Sequence, residues 1–202
     1  MSVQVVVKFP NNKVVSVSVM NKCGTSTVFA TLGYPRIQTT IRNISRELRP
    51  RNEYWESNND CPYNIDYNIA IVRDPVDRMY SVYKQRILSR NWENIKDDVI
   101  SWDMYVRDFP RIKNQYKDIE IHTIPQVDRH GTDPSKFDFI YNTTELGSEF
   151  IPRISKISNV DIPTTIHFKK TRDPQEDIID EHRQLIKEYF ADDYKYWGNY
   201  FQ

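Results

Sequence analysis

Val14-Val15-Ser16-Val17-Ser18-Val19-Met20-Asn21-Lys22-Cys23-Gly24-Thr25-Ser26-Thr27-Val28-Phe29 is the stretch on which the fold turns. Its first half, Val14 to Met20, is rich in β-branched residues, the composition of a strand. The pattern breaks over Asn21 to Thr27 and resumes with Val28, Phe29 and Leu32 at a spacing that suits a short helix. The stretch therefore spells strand, polar loop, helix. Upstream lies a second apolar run, Val3 to Phe9. Pro10-Asn11-Asn12 between the two has a turn composition, so a hairpin or two neighbouring strands are expected.

Downstream the same plan returns. Asn68 to Val72 is a short apolar run, after which Asp74 supplies an N-cap and Pro75 a first helical position, launching a helix through about Leu88. Between the two units, Ile41, Ile44 and Leu48 predict a helix from Thr39 or Thr40 to Pro50, and Arg51 to Tyr63 has no periodicity and reads as loop. Val99, Trp102, Val106 and Phe109 predict a helix ended by Pro110; Ile119 to Ile124 alternates as a half-buried strand does, and Phe137 to Tyr141 reads as another. Thr143 or Thr144 is expected to cap a helix through Phe150 and Ile154, kinked or stopped early at Pro152. Glu176 and Asp177 after Pro174 read as the first turn of a last helix with Ile178, Leu185, Ile186, Tyr189 and Phe190 on its apolar face. The aromatic tail, Tyr194 to Phe201, is expected to pack back on the protein, because its area would otherwise stay wet. Strands alternating with helices predict one α/β domain over residues 1–202, with a mostly parallel central sheet flanked by helices.

Composition narrows the function classes. Acidic and basic residues number 28 each among 202, so no overall field draws the chain to nucleic acid or an anionic membrane, and any anion site must be local. No apolar run approaches the roughly 20 residues of a membrane span, and a secretory leader is not evident, which predicts a cytoplasmic protein with no membrane span. Cys23 and Cys61 are expected to stay free thiols in such a compartment. The histidines and cysteines show no metal-ligand spacing.

The chemistry concentrates in the two strand-to-helix turns. In such a turn the helix N–H groups and dipole favour an anion. In Lys22-Cys23-Gly24-Thr25-Ser26-Thr27, glycine permits close backbone approach, the hydroxyls are donors and the lysine is a point charge, although the order is not that of a Walker A loop. Arg73 ends the second strand, and Arg78 and Ser81 lie in the helix that follows. Loops after parallel strands gather along one crevice, so Lys22 and Arg73 are placed to grip two ends of one polyanion.

These residues resemble a known family. Lys22 to Thr27 is similar to the 5′-phosphosulfate loop of the sulfotransferases that use 3′-phosphoadenosine 5′-phosphosulfate (PAPS), and Arg73-Asp74-Pro75-Val76-Asp77-Arg78-Met79-Tyr80-Ser81-Val82-Tyr83 resembles their 3′-phosphate segment. Ile121-His122-Thr123-Ile124-Pro125-Gln126, Phe137 to Tyr141 with Glu145-Leu146, and Tyr189 to Trp197 are similar to the carbohydrate sulfotransferase branch, so the likeness spans about Val19 to Trp197. Asn21 departs from the family's usual proline and Thr123 from its common tryptophan.

The resemblance implies a P-loop-like three-layer fold and transfer of a sulfuryl group from PAPS to an acceptor hydroxyl, on a carbohydrate by the branch it is similar to. The product nucleotide is 3′,5′-adenosine bisphosphate (PAP), and no metal is required. In that scheme Lys22 acts on the leaving bridge oxygen, Cys23, Gly24, Thr25, Ser26 and Thr27 hold the 5′-phosphate, and Arg73 and Ser81 hold the 3′-phosphate. His122 is the candidate base, with a carboxylate such as Glu47 or Asp60 as the alternative. His182 reads as a packing residue of the last helix; His130 and His167 fall in expected loops, and Lys169-Lys170-Thr171-Arg172 is either a phosphate contact or a solvated charge run. Acceptor choice is expected to sit in loops such as Arg51 to Tyr63 and Asn91 to Lys96. Two rivals remain: a nucleotide-dependent small-molecule kinase with an atypical phosphate loop, and a nucleotide-binding module that has lost its base.

Overall fold

Residues 3–33, 52–55, 59, 61–88, 100–164 and 178–201 are described by a computed structural model of the chain. The expected helix from Thr39 to Leu48, the loop Asn91 to Lys96, the cluster Lys169 to Arg172, and His167, Glu47 and Asp60 lie outside the described residues.

The two N-terminal runs form the expected hairpin. Strand β1 (Val3–Lys8) pairs antiparallel with β2 (Val14–Val19). The turn is closed by Phe9 N–H to Lys13 O at 2.8 Å and by Asn12 in the left-handed region, φ 65°. After the Lys22 loop comes α1 (Thr25–Leu32). Part of the stretch expected as loop is a short edge strand, β3 (Glu53–Trp55), paired antiparallel with β1. Its Tyr54 hydroxyl donates to the Leu32 and Gly33 carbonyls at the end of α1. Then β4 (Tyr67–Val72) lies parallel to β2, and β5 (Phe139–Asn142) parallel to β4.

The sheet order is β3-β1-β2-β4-β5. It is mixed rather than mostly parallel, with the β3–β1–β2 side antiparallel and the β2–β4–β5 side parallel. The tight Pro10-Asn12 turn accounts for the β1–β2 pair, since a connection that short joins only antiparallel neighbours.

Helical segments cover both faces. Val15, Val17, Val19, Ile69 and Ile71 form a core with Val28 and Leu32 of α1 and with Phe150, Ile151 and Ile154. On the other face Ala70 and Val72 meet the fully buried Trp197. Because β2 is covered twice, Ser16 and Ser18 are buried along with its valines.

The second turn launches α2 (Pro75–Val82), capped by Asp74, whose carboxylate accepts the Val76 N–H at 2.7 Å. The helix continues as a π-helical stretch, Tyr83–Leu88. Pro110 does not end a helix: α3 (Trp102–Arg107) is followed at once by α4 (Phe109–Gln115), which Pro110 opens. Proline suits a first turn, where its missing N–H would have no partner.

Ile119 to Ile124 is not a strand. Lys117–His122 forms α5, with Ile119 and Thr123 buried on one side and the Thr123 hydroxyl donating to the Ile119 carbonyl at 2.7 Å. Over six residues an alternating and a helical pattern overlap, and the four-residue spacing of the buried pair decided the outcome. The brief α6 (Val127–His130) precedes β5.

After β5 the cap is Asn142, not Thr143 or Thr144. Helical geometry runs through Pro152, as a 3-10 turn (Thr143–Glu145), a π-turn (Leu146–Phe150) and α7 (Ile151–Ser158). Pro152 sits in the first turn of α7, so no α-helical hydrogen bond is lost there. Near the C-terminus α8 (Asp180–Tyr189) has Asp180 and Glu181 in its first turn and is followed by α9 (Ala191–Trp197), while the expected first turn at Glu176 and Asp177 lies outside the described residues. The aromatic tail does pack back. Cys23 and Cys61 are both free thiols. Among the described residues no helix is long and apolar enough to cross a membrane.

Candidate functional site

Because β2, β4 and β5 run parallel, their C-terminal ends share one edge of the sheet, with Val19 opposite Ile71 and Val72 opposite Asn142. The Lys22 loop, the Arg73 turn and the Asn142 turn therefore emerge together, the arrangement that places ligand sites in open α/β sheets. Two contacts tie them. The Arg73 guanidinium donates through Nη1 to the Lys22 carbonyl at 2.9 Å. Gly24 lies against Leu146 and Thr143, so closely that a Cβ there would collide with the Leu146 side chain.

The loop is a tight turn closed by Cys23 N–H to Met20 O at 3.1 Å, with Lys22 at φ 66° and Gly24 at φ 73°. Left-handed backbone is ordinary for glycine and strained for lysine, and such strain concentrates at functional loops. Gly24 opens α1, whose first-turn N–H groups have no side-chain cap. The side chains of the predicted cradle go to different places. Ser26 is exposed, Thr27 is buried, and the Thr25 hydroxyl donates to the Met20 carbonyl at 2.8 Å. Cys23 is wholly buried and burial pushes its thiol up, so it supplies backbone and packing rather than a nucleophile. Ser81 lies half-buried in α2.

His122 closes α5, which leads through Ile124 into Gln126 beside the Arg73 turn. Its Nδ1 lies 2.7 Å from the Asp118 carbonyl, which only accepts, so the proton sits on Nδ1. Nε2 then accepts from Arg86 Nη2 at 2.7 Å, and Arg86 Nε pairs with the Asp118 carboxylate at 3.0 Å. Burial, with the Arg86 and Lys22 charges, holds this histidine below its ordinary range, against the pull of Asp118. With Nδ1 donating and Nε2 accepting, the ring is in its neutral tautomer and its one lone pair is covered by Arg86.

The sequence reading missed the residues that hold this edge in place. Gln126 is wholly buried, and its carboxamide contacts the Arg73 peptide on both sides. Arg78 is 1% exposed and donates to the Ile124 carbonyl at 2.7 Å, fixing the segment that leads into Gln126. Asp193, also wholly buried, accepts the Val127 N–H at 2.9 Å. Its neighbour Tyr194 donates its hydroxyl to the Asp74 carboxylate, 3.0 Å from Oδ2. Burial raises the carboxyls of both Asp74 and Asp193. Arg78 and Arg86 were visible as cations spaced along a predicted helix, and Gln126 closed the Ile121–Gln126 motif; nothing local announced Asp193.

His182 and His130 are structural. His182 is buried, with Nε2 2.9 Å from Asp103 Oδ1 and its ring against Trp102, as expected of a packing residue. His130 lies beneath Trp197 with Nδ1 2.9 Å from the Ser18 hydroxyl.

Comparison with known proteins returned no matching family model, curated sequence or solved structure.

Proposed function

We propose that this chain is a PAPS-dependent sulfotransferase with a P-loop-like site, moving a sulfuryl group to an acceptor hydroxyl, on a carbohydrate by the likeness of its motifs. The observation that carries the reading is the 2.9 Å bond from Arg73 to the Lys22 loop at the ends of adjacent parallel strands. A ligand with phosphate-type groups at two ends engages both cationic turns at once, and the 5′ and 3′ groups of PAPS are such a pair.

In this scheme the acceptor oxygen forms its bond to sulfur while the bond from sulfur to the bridging phosphate oxygen breaks. The developing charge falls on that oxygen, and Lys22 is the cation assigned to stabilise it. The first-turn N–H groups of α1 and the Lys22–Thr27 backbone hold the 5′-phosphate; Arg73 and Ser81 hold the 3′-phosphate. The acceptor proton passes to His122 Nε2, which requires Arg86 to release that lone pair first.

Calorimetry with PAP and, separately, with ATP and magnesium tests the donor; the sulfotransferase binds PAP in preference, and a preference for ATP removes the reading in favour of a kinase. Radiolabelled PAPS with a panel of glycans tests the transfer, with Lys22→Ala as the control that abolishes it. A protein that binds PAP and transfers nothing is the inactive module.

A further inference from the structure

Gln126 does to Arg73 what a neighbouring strand would do. Its Oε1 accepts the Arg73 N–H at 3.0 Å and its Nε2 donates to the Arg73 carbonyl at 2.9 Å. The same Oε1 lies 3.9 Å from the Cys23 thiol, so one side chain spans both turns. Arg73 has just left β4 and has lost the sheet's ladder, and a buried peptide group without partners is destabilising, so the carboxamide satisfies the residue at the point where the chain turns away. Gln126 is itself held from behind. The next residue's N–H is bound by Asp193, and Arg78 grips Ile124 ahead of it.

We infer that Gln126 is a positioning residue for anion binding: it fixes the Arg73 turn against the Lys22 loop and so sets the separation of the two cationic anchors. The nucleotide part of this inference rests on the function proposed above; the setting of the Arg73 turn does not.

Two variants test it. In Gln126→Ala the Arg73 amide loses its acceptor, so its hydrogen exchange by NMR accelerates about tenfold or more while the β4 amides keep their protection, and PAP affinity falls about tenfold. In Gln126→Glu the outcome depends on pH. A protonated carboxyl keeps both the donor and the acceptor, whereas the ionised form turns an oxygen toward the Arg73 carbonyl; burial and the Asp193 carboxylate favour the protonated form, and the Arg73 and Arg78 charges the ionised one. The ratio of variant to wild-type PAP affinity is therefore near one in mild acid and falls as pH rises, which a merely structural residue would not show.

An Arg73 amide equally protected in Gln126→Ala, or an affinity ratio for Gln126→Glu that stays constant with pH, overturns the inference. Should Gln126→Ala not fold, the pH dependence of PAP affinity in Gln126→Glu carries the test alone, and a flat ratio overturns the inference. If the wild-type protein ignores PAP, the sulfotransferase reading falls, and Arg73 exchange alone decides whether Gln126 sets the turn.

Discussion

Arg73 Nη1 bonds the carbonyl oxygen of Lys22, so a residue proposed to hold the nucleotide's 3′-phosphate also braces the loop proposed to hold its other end. Arg73→Ala therefore removes an anion contact and loosens the Lys22 turn together. PAP affinity is expected to fall about 10- to 100-fold, the range for hydrogen bonds to charged groups. Arg73→Lys recovers only part of it, because an ammonium lacks the planar fork needed to serve a carbonyl and an anion at fixed angles. Full recovery by lysine in calorimetry would show that charge alone matters here.

Gly24 is constrained twice, by its φ of 73° and by the Leu146 side chain that occupies the place of a Cβ. Gly24→Ala is expected to destabilise the fold by about 2–4 kcal/mol, combining left-handed strain with overpacking. Urea denaturation reads this directly. Leu146→Ala in the same background relieves the collision but not the backbone strain, so the double variant should be less destabilised than the sum of the single changes.

Arg86 donates to His122 Nε2, and its charge helps hold the imidazole below its ordinary pKa. Arg86→Ala removes the charge and uncovers the lone pair, so the His122 pKa should rise. An NMR titration of the ring nitrogens measures the shift and reports the Nδ1-protonated tautomer. An unchanged titration would separate Arg86 from His122 in solution.

His130 is buried and its pKa is lowered to about 4, first by burial and then by the Arg78 charge. Between that value and the ordinary value of about 6.5 the unfolded chain binds a proton that the native one does not. This contribution is fully present above about pH 6.5 and is lost as pH falls toward 4, by up to about 3 kcal/mol. His130→Gln keeps a partner for Ser18 without titrating. Stability measured against pH should show a shallower acid slope in that variant, and parallel profiles would contradict the assignment.

Much of the fold is legible in short stretches of chain. The Pro10-Asn12 turn announces the hairpin, Asp74-Pro75 announces the start of α2, and the break at Asn21 announces the Lys22 loop, because each depends on neighbours in sequence. Ile119 to His122 was not legible, because its helical conformation follows from which of its side chains found a buried surface. Glu53 to Trp55 reads as loop by composition and becomes a strand because β1 offers an open edge. At the site, the charges of Lys22, Arg73 and His122 stand out as residue types, whereas their partners do not. Gln126 lies 53 residues from Arg73, and Tyr194 lies 120 from Asp74.

What the sequence by itself determined is the local grammar: two strand-to-helix turns, each carrying a cation, the first with a glycine beside it. Only the tertiary structure decided that the sheet is mixed, that the Arg73 guanidinium braces the Lys22 loop, that Arg86 covers the His122 lone pair, and that a buried carboxamide holds Arg73. The physical reason is that backbone preferences act over a few residues, whereas a buried polar group must find its partner in three dimensions wherever the chain happens to bring one.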